Sequence, residues 1–469
     1  MTLSAGLRFD HVRNSFPVQA LGPTQITPDR NITFPETPFL NWNDITPKLN
    51  AVYDLGGNGK TAVKVSVNKY LRGFGSSFGN IPEPNPVSAA VGFGNATRSW
   101  TDTNNNYVPD CDLTTHTPGA NGECGPLSNP NFGSNDVQAL LDALKYDPNL
   151  ASGWGKREYN WEFSAGVQHE LLPRVSLDVG FFRKWYGNFH VVDNLSLTPN
   201  DFSHVSYTTP QDARLPNGGG YTVTDLLIIK PTVGGFGFPA PGTGYSADRN
   251  VVKLSDDVGR QIEHWNGFDV ILNARLQKGF IAQGGVSTGR TSRDNCEVVQ
   301  ALPETAIDTF NFFNAGFFLN NVPASLCKQD GVFITQIKGF AAYSIPKIDV
   351  QVSGTYQSLP GVPITATANL AGVVPTAGLQ FVFPAFHIVE PGSVFGERLN
   401  QVDLHIGKLF KAGRSRFSAY LDIYNAFNTD TITGQNNNYT LVPGGTAIWQ
   451  VPNLILQARF FKVGAQIDF

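Results

Sequence analysis

The sequence has few charged residues and no long hydrophobic run. Only 15% of its 469 residues are Asp, Glu, Lys or Arg, and no window approaches the roughly 18 continuous apolar residues of a membrane-spanning helix. The formal net charge of −4 provides no basic surface for nucleic acid. These absences exclude membrane spanning by helices and give no support to nucleic-acid binding.

Cysteine is also scarce. The four cysteines fall into two polar, loop-like segments, Cys111 with Cys124 and Cys296 with Cys327. None of them has the CxxC spacing of a four-cysteine metal site or a redox pair. We expect two local disulfides, Cys111–Cys124 and Cys296–Cys327, each worth about 2 to 4 kcal/mol of stability in an oxidising exterior.

Two segments match catalytic or phosphate-binding motifs, but the residues around them do not fit those motifs. The segment 75–79 fits G-x-S-x-G, but the proline-rich residues 80–86 that follow cannot form the helix which that motif requires. Gly59-Lys60-Thr61 ends like a phosphate-binding loop, yet Asp54 stands where the first glycine should be. We therefore predict that the protein is not an enzyme and has no cofactor, apart from the calcium discussed below.

A two-residue alternation of apolar and polar side chains recurs along the chain. Near the N-terminus, Leu3, Ala5 and Leu7 alternate with Ser4 and Gly6. A run of about 9 to 11 such residues can cross a bilayer as a tilted strand. About twelve segments have this pattern: 2–11, 46–54, 60–71, 159–171, 174–186, 260–277, 279–290, 333–345, 347–357, 397–410, 415–427 and 456–469.

Short and long connections alternate strictly between these predicted strands. Five are tight turns rich in Gly, Pro or Asn, which supply the backbone conformations of short hairpins. The others are long: 12–45, 72–158, 187–258, 291–332, 358–396 and 428–455. This alternation is typical of an all-β transmembrane antiparallel barrel with short periplasmic turns and long extracellular loops, and places the protein in a Gram-negative outer membrane. A soluble propeller or sandwich would also alternate, but no blade-like repeat is present.

The apolar positions of these strands predict the surface that faces lipid. The predicted lipid-facing set is Leu3, Leu7, Val63, Val65, Trp161, Phe163, Val167, Val270, Leu272, Val350, Val352, Leu421 and Ile423.

Three segments carry a family resemblance: 42–70, 98–113 and 422–428. Together they resemble the C-terminal barrel of TonB-dependent outer-membrane receptors, in particular the acidobacterial group that begins with a carboxypeptidase-regulatory-like domain and is related to Oar-like proteins. The resemblance implies a barrel of 22 strands with a plugged lumen. Residues 1–469 would then be its C-terminal part, because Met1 opens directly on a strand and the family's signal peptide, plug and TonB box would lie upstream. Closure of the twelve strands on themselves is the alternative.

The resemblance also implies a function. Receptors of this family take up a scarce ligand through the outer membrane, with energy supplied by an inner-membrane TonB complex that acts on the plug and TonB box. The implied partners are outer-membrane lipid, an unknown small or oligomeric ligand and, through upstream regions, the TonB complex. A passive barrel, or a surface adhesin with ligand-binding loops, is the alternative. Siderophore, vitamin, oligosaccharide and peptide all remain open as substrates.

One loop segment has the spacing of a calcium ligand set. Oxygen-bearing side chains recur at positions 1, 3, 5, 9 and 11, with a backbone carbonyl available at position 7, as in the first part of an EF-hand loop. The glycine of position 6 is replaced by Tyr107, and Leu113 stands where the bidentate Glu would be. We expect either a weak calcium site or an Asx-rich turn. The candidate ligands are Asp102, Asn104, Asn106, Val108, Asp110 and Asp112.

Three other segments of the long loops are candidates for covering the outer mouth of the barrel, where a ligand would first be met. Residues 134–147 have the pattern of a short amphipathic helix that begins at Ser134 or Asn135 and ends before Pro148. The glycine-rich segment 234–242 and the aromatic segment 310–318 complete this set.

Overall fold

The computed structural model describes most of the chain. The described residues are 1–73, 77–78, 81–82, 84–91, 96–115, 117–129, 132–142, 144–230, 249–276, 279–306, 320–369, 385–412, 415–439 and 448–468. The candidate mouth segments 234–242 and 310–318, parts of the 75–79 motif and of the turns at 277–279 and 411–414, and Phe469 lie outside these residues.

Twelve long strands form one large antiparallel sheet, as the alternation predicts. They follow one another across the sheet in chain order. We number them β1 (Thr2–Phe16), β2 (Thr37–Asp54), β3 (Thr61–Leu71), β4 (Tyr159–Leu172), β5 (Val175–Gly187), β6 (Ile262–Arg275), β7 (Phe280–Asp294), β8 (Ile334–Ile345), β9 (Val350–Leu359), β10 (Leu399–Ala412), β11 (Ser415–Tyr424) and β12 (Phe460–Asp468).

The register of the sheet produces one continuous apolar face. One row across it runs from Ala51 through Val65, Ala165 and Phe181 to Phe268, each opposite the next on the neighbouring strand. All thirteen residues of the predicted lipid-facing set lie on this same face, since side chains alternate between faces along a strand. Many of them are exposed, and we call this surface the apolar face.

The opposite face, here called the polar face, carries hydrogen-bonded and charged pairs between neighbouring strands. Ser66 and Ser164 join their hydroxyls at 2.6 Å. His405 Nδ1 lies 2.5 Å from Asp422 Oδ1 on the adjacent strand. Such cross-strand pairs stabilise antiparallel sheets. The two faces therefore differ in chemistry along the whole sheet.

The first and last strands have one partner each within the described residues. There, β1 pairs with β2 and β12 pairs with β11, and no pairing joins β1 to β12. Both strands are highly exposed, with Leu7 at 73% and Val463 at 80%.

The connections reproduce the predicted alternation of short and long. The intervals between successive strands are short at 55–60, 173–174, 276–279, 346–349 and 413–414. They are long at 17–36, 72–158, 188–261, 295–333, 360–398 and 425–459, and the two kinds of interval follow opposite ends of the antiparallel strands. β1 and β2 extend five and nine residues further into the first long connection than predicted, to Phe16 and from Thr37. There they continue to pair with each other, and β2 also pairs with a short strand at Ser152–Trp154.

The long connections contain short strands and helices. The other short strands are Gln19–Leu21, Ile32–Phe34, Ser77–Phe78, Ile81–Pro82, Arg98–Trp100, Cys124–Leu127, Leu144–Tyr146, His190–Asn194, Phe202–Thr208, Thr222–Ile229, Asn250–Leu254, Asn320–Asn321, Lys328–Asp330, Thr367–Asn369, Ala385–His387, Ile432–Gln435, Asn438–Tyr439 and Pro452–Ile455. The α-helices are Pro86–Val91, Gln138–Asp142, Pro148–Ala151 and Cys296–Ala301, and the 3-10 helices are Pro199–Asp201, Pro216–Gly218, Ser255–Asp257, Pro303–Ala306 and Ala324–Leu326. Across the described residues, every helix is too short or too polar to span a membrane.

The helix predicted over 134–147 is largely wrong. Only Gln138–Asp142 is helical, and Leu144–Tyr146 is a strand that pairs in parallel with Asn250–Leu254. A second helix begins at Pro148, where the prediction ended one, because the Asp147 side chain caps it by accepting a hydrogen bond from the Asn149 amide. Pairing with a distant segment overrides the local helical pattern.

Candidate functional site at the long-loop end of the sheet

A shared hydrophobic core joins three of the long connections. Leu226 from connection 188–261, Phe386 from connection 360–398 and Trp449 from connection 425–459 are each at most 1% exposed and belong to one cluster. Burial of such side chains stabilises the contact by about 1.5 to 3 kcal/mol each. These connections therefore fold as one body.

Smaller contacts attach the remaining long connections to this body. Val299 packs with Phe202 and Leu227, which joins connection 295–333 to 188–261. Leu150 packs with Val252, which joins connection 72–158 to 188–261. The first connection is bound to 72–158 by the Asn31 amide, which donates to Asn135 Oδ1 at 2.8 Å. We call these six interlocked connections the loop assembly.

A polar cluster reinforces the largest core of the loop assembly. The Arg214 guanidinium donates to both carboxylate oxygens of Asp212, at 3.0 and 2.7 Å, and to the Trp449 carbonyl at 3.0 Å. The Tyr439 hydroxyl donates to the same carboxylate at 3.1 Å. The hydrogen bonds from Arg214 lower the pKa of Asp212 to about 2, and burial raises the pKa of Tyr439 to about 12. Both groups therefore keep one protonation state around neutral pH.

The two predicted disulfides are present. Cys111 is bonded to Cys124 and Cys296 to Cys327. Each closes a loop within a single long connection, 72–158 or 295–333. The cross-links therefore stabilise individual loops, while hydrophobic contacts join one loop to another.

The candidate calcium segment folds as a compact turn. Asp102 Oδ2 accepts a hydrogen bond from the Tyr107 amide at 2.9 Å, and Tyr107 has a φ of 58°. This is the left-handed conformation that glycine would adopt most easily. The side chains of Asn104 and Asn106 both donate to Asp110 Oδ2. Their amide nitrogens therefore face Asp110, while their Oδ1 atoms accept hydrogen bonds from the Asn106 and Val108 backbone amides.

The predicted ligands do not all converge. Asp112 Oδ1 accepts from the Thr114 amide and hydroxyl instead. Nowhere in the described chain do three His, Cys, Asp or Glu side chains gather as a metal site. In contrast, Asp102 Oδ1 is buried and has no hydrogen-bond partner in the described part of the chain, and hard oxygens of this kind suit calcium. The calcium site, in which the Val108 carbonyl would be one of the ligands, therefore stays a prediction.

Sequence reasoning missed the acid that holds this turn together. Glu123 accepts hydrogen bonds from the Thr103 amide at 2.7 Å, from the Trp100 indole at 3.1 Å and from the Asp110 amide at 3.2 Å. These bonds, led by the Thr103 hydroxyl, lower the pKa of Glu123 to about 2. The signal available in the sequence was its place directly before Cys124, whose disulfide brings it beside the turn.

Comparison with known proteins gives distant structural likenesses. No protein-family model matches the chain, and no curated protein matches it. The chain is similar along 99% of its length to the ferric-catecholate import receptor Fiu from Escherichia coli K12, with 11% identity and a TM-score of 0.41. The outer membrane transporter YddB from E. coli follows at 10% identity, 93% coverage and a TM-score of 0.40. The FrpB iron transporter from Neisseria meningitidis follows at 9% identity, 99% coverage and a TM-score of 0.37.

The matched chain is much shorter than these proteins. It spans 42% of the length of each of the three. They are described as an import receptor, an outer membrane transporter and an iron transporter.

The core of the loop assembly provides a test of its integrity. We expect Trp449→Ala to destabilise the loop assembly by about 3 to 5 kcal/mol, because it removes a side chain that is 1% exposed. Trp154→Ala is the matched control, since Trp154 is 62% exposed, and should cost much less. Denaturant unfolding, monitored by limited proteolysis of the loops, measures the loss of stability in both variants. Equal losses at the two positions would contradict the assignment of Trp449 to a core.

Proposed function

We propose that this chain forms part of the barrel of an outer-membrane, TonB-dependent receptor that takes up a scarce ligand. The observation that carries the proposal is the twelve-stranded antiparallel sheet with one continuous exposed apolar face, short turns at one end and long loops at the other. Exposed apolar surface of this extent needs an apolar neighbour, and a bilayer supplies one along every strand.

The loop assembly supports a receptor role. Its interlocked connections lie at the long-loop end, which would face the exterior, and its hydrophobic core holds them in fixed positions. Fixed loops over a barrel mouth suit recognition of a specific ligand, because little conformational entropy is lost on binding.

The finer parts of the proposal rest on the resemblance to TonB-dependent receptors. These parts are that residues 1–469 are the C-terminal portion of a longer barrel, that energy is supplied through upstream regions, and that the ligand is scarce. A passive barrel or an adhesin is the second candidate. It is favoured by the same long loops, which could bind a surface as well as a small molecule.

The membrane assignment is tested on two neighbouring residues of β3. Val65 lies on the apolar face and is 38% exposed. Val65→Arg should destabilise the folded protein by about 2 to 4 kcal/mol in lipid, because a charge is placed in the hydrocarbon layer. The control is Ser66→Arg on the polar face, which should cost about 1 kcal/mol through loss of the hydrogen bond to Ser164. Reversible unfolding in lipid vesicles measures both; equal sensitivity would refute the assignment.

Energy-coupled uptake and passive flow are separated by two measurements on the full-length gene product. An energy-coupled receptor should show no steady ionic conductance in a planar bilayer bathed in potassium chloride. Growth on a scarce nutrient that depends on this gene should also be lost when the TonB complex is deleted. Ohmic channels, with growth unaffected by that deletion, would instead establish the passive barrel. Adhesion of cells that express the protein, without ohmic channels and without TonB-dependent growth, would establish the adhesin.

We also propose that the turn at 102–112 binds calcium weakly. Two supports are the oxygen spacing and the buried Asp102 Oδ1, which has no hydrogen-bond partner among the described residues. Because the bidentate Glu is absent, we expect a Kd for calcium of about 10⁻⁴ to 10⁻³ M, in the weak extracellular range.

Terbium luminescence tests this site, because Trp100 and Tyr107 lie in and beside the turn and can sensitise the ion. We expect terbium luminescence that is lost when calcium displaces the bound ion, and that is absent from the Asp110→Asn variant. The control, Asp256→Asn, changes an exposed acid in the distant 3-10 helix Ser255–Asp257 and should leave the signal intact. An unchanged signal in Asp110→Asn would establish the Asx-turn alternative.

A further inference from the structure

A buried carboxyl group joins two loops of the loop assembly. Glu304 lies in the 3-10 helix Pro303–Ala306, inside the loop closed by the disulfide Cys296–Cys327. Its side chain accepts a hydrogen bond from the backbone amide of Asn194 at 3.2 Å, and the residue is 5% exposed. Asn194 ends the strand His190–Asn194 of connection 188–261. The carboxyl group therefore spans the contact between two separate loops.

No cation accompanies this carboxyl within the described residues. On the strand that packs against it, Asp193 is already paired with Lys253 at 2.6 Å, and His190 lies 3.8 Å from Glu158. On the neighbouring helix Cys296–Ala301, the charged residue is Glu297, which is exposed and pairs with Arg260 at 3.5 Å. The charge that acts on the Glu304 carboxyl is the negative Asp193, which raises its pKa.

These surroundings make the ionised form unfavourable. Burial raises the pKa of Glu304 to about 7, and the Asp193 carboxylate adds to that effect. The amide hydrogen bonds from Asn194 and from Glu304 itself favour the ionised form, but the cost of a buried carboxylate without a counter-ion outweighs them. The contact therefore depends on one proton.

The loop that carries Glu304 also borders a cavity. The cavity has a volume of about 190 Å³ and is lined by Thr305 and Ala306, directly after Glu304, and by Glu263 and Arg293 at the ends of β6 and β7. Release of this loop would change the shape of the cavity without breaking the sheet.

We propose that Glu304 is a proton-sensitive latch: its protonated carboxyl holds the 3-10 helix Pro303–Ala306 against the strand His190–Asn194, and its ionisation weakens that contact. The latch would make the outer loops of this protein respond to the acidity of the surroundings. This inference goes beyond the proposed function, since it holds for a transporter, a passive barrel or an adhesin alike.

The direction of the response follows from linkage. The pKa is about 7 when the loop is docked, and 4.5 is its ordinary value when the loop is released. Docking is therefore strongest below pH 4.5, weakens as the pH rises towards 7, and changes little above that. The docking constant should fall by about tenfold for each pH unit within this window.

Amide hydrogen exchange of the intact, disulfide-bonded protein in lipid vesicles tests the latch. The readout is the protection of segments 190–194 and 303–306 between pH 5 and 8.5, after correction for intrinsic exchange with an unstructured reference peptide. In the unsubstituted protein we expect protection to fall by about tenfold per unit between pH 5 and 7 and then to level off. A pH-independent protection of these segments would overturn the proposal by itself.

Two matched substitutions identify the responsible group. Glu304→Gln keeps a neutral acceptor for the Asn194 amide, and should retain high protection at pH 8 with no slope. Glu297→Gln, which changes an exposed acid in the same disulfide-closed loop, should keep the slope of the unsubstituted protein. A slope that persists in Glu304→Gln, or disappears in Glu297→Gln, would assign the response to another group and refute the latch.

Discussion

Backbone hydrogen bonding between consecutive strands is the constraint on which the rest of this structure depends. In an apolar layer every N–H and C=O group must find a partner within the sheet, and each of the ten inner strands has a neighbour on both sides. The pairing also sets the register. A slip of one residue would move Val65 from the apolar face to the polar face, so the continuous apolar face exists only because register is kept across all twelve strands.

The strands could be predicted from the sequence because their pattern is local. A period of two, repeated over ten residues, needs no knowledge of distant partners. The prediction stopped short where the pattern changes. At the long-loop end of β2, the buried apolar residues include Leu40 and Trp42, which lie on even positions, and most even positions nearer the short-turn end are polar. There the loop assembly covers what is the polar face elsewhere, and Trp42 donates to the Leu150 carbonyl. Local alternation cannot reveal such a cover.

The loop assembly could not be predicted for the same reason. Arg214 contacts the carbonyl of Trp449, 235 residues away, and nothing in either segment indicates the other. The disulfides were predictable because each closes a short segment, as Cys111 and Cys124 do. The candidate turn at 102–112 was also visible as a spacing of oxygens, but its central support, Glu123, comes from beyond the turn and was missed.

Three acids of the loop assembly show why its contacts respond differently to protons. Asp212 is paired with a guanidinium and Glu123 accepts several N–H and O–H groups, so hydrogen bonding favours the charged form of each and lowers its pKa. Among the described residues, Glu304 has one inter-loop donor and a negative neighbour but no paired cation, and burial favours its neutral form. The first two contacts are therefore constant near neutral pH. Sensitivity to acidity is concentrated where a carboxyl group is buried without a charge to balance it, and that place joins two loops rather than two strands.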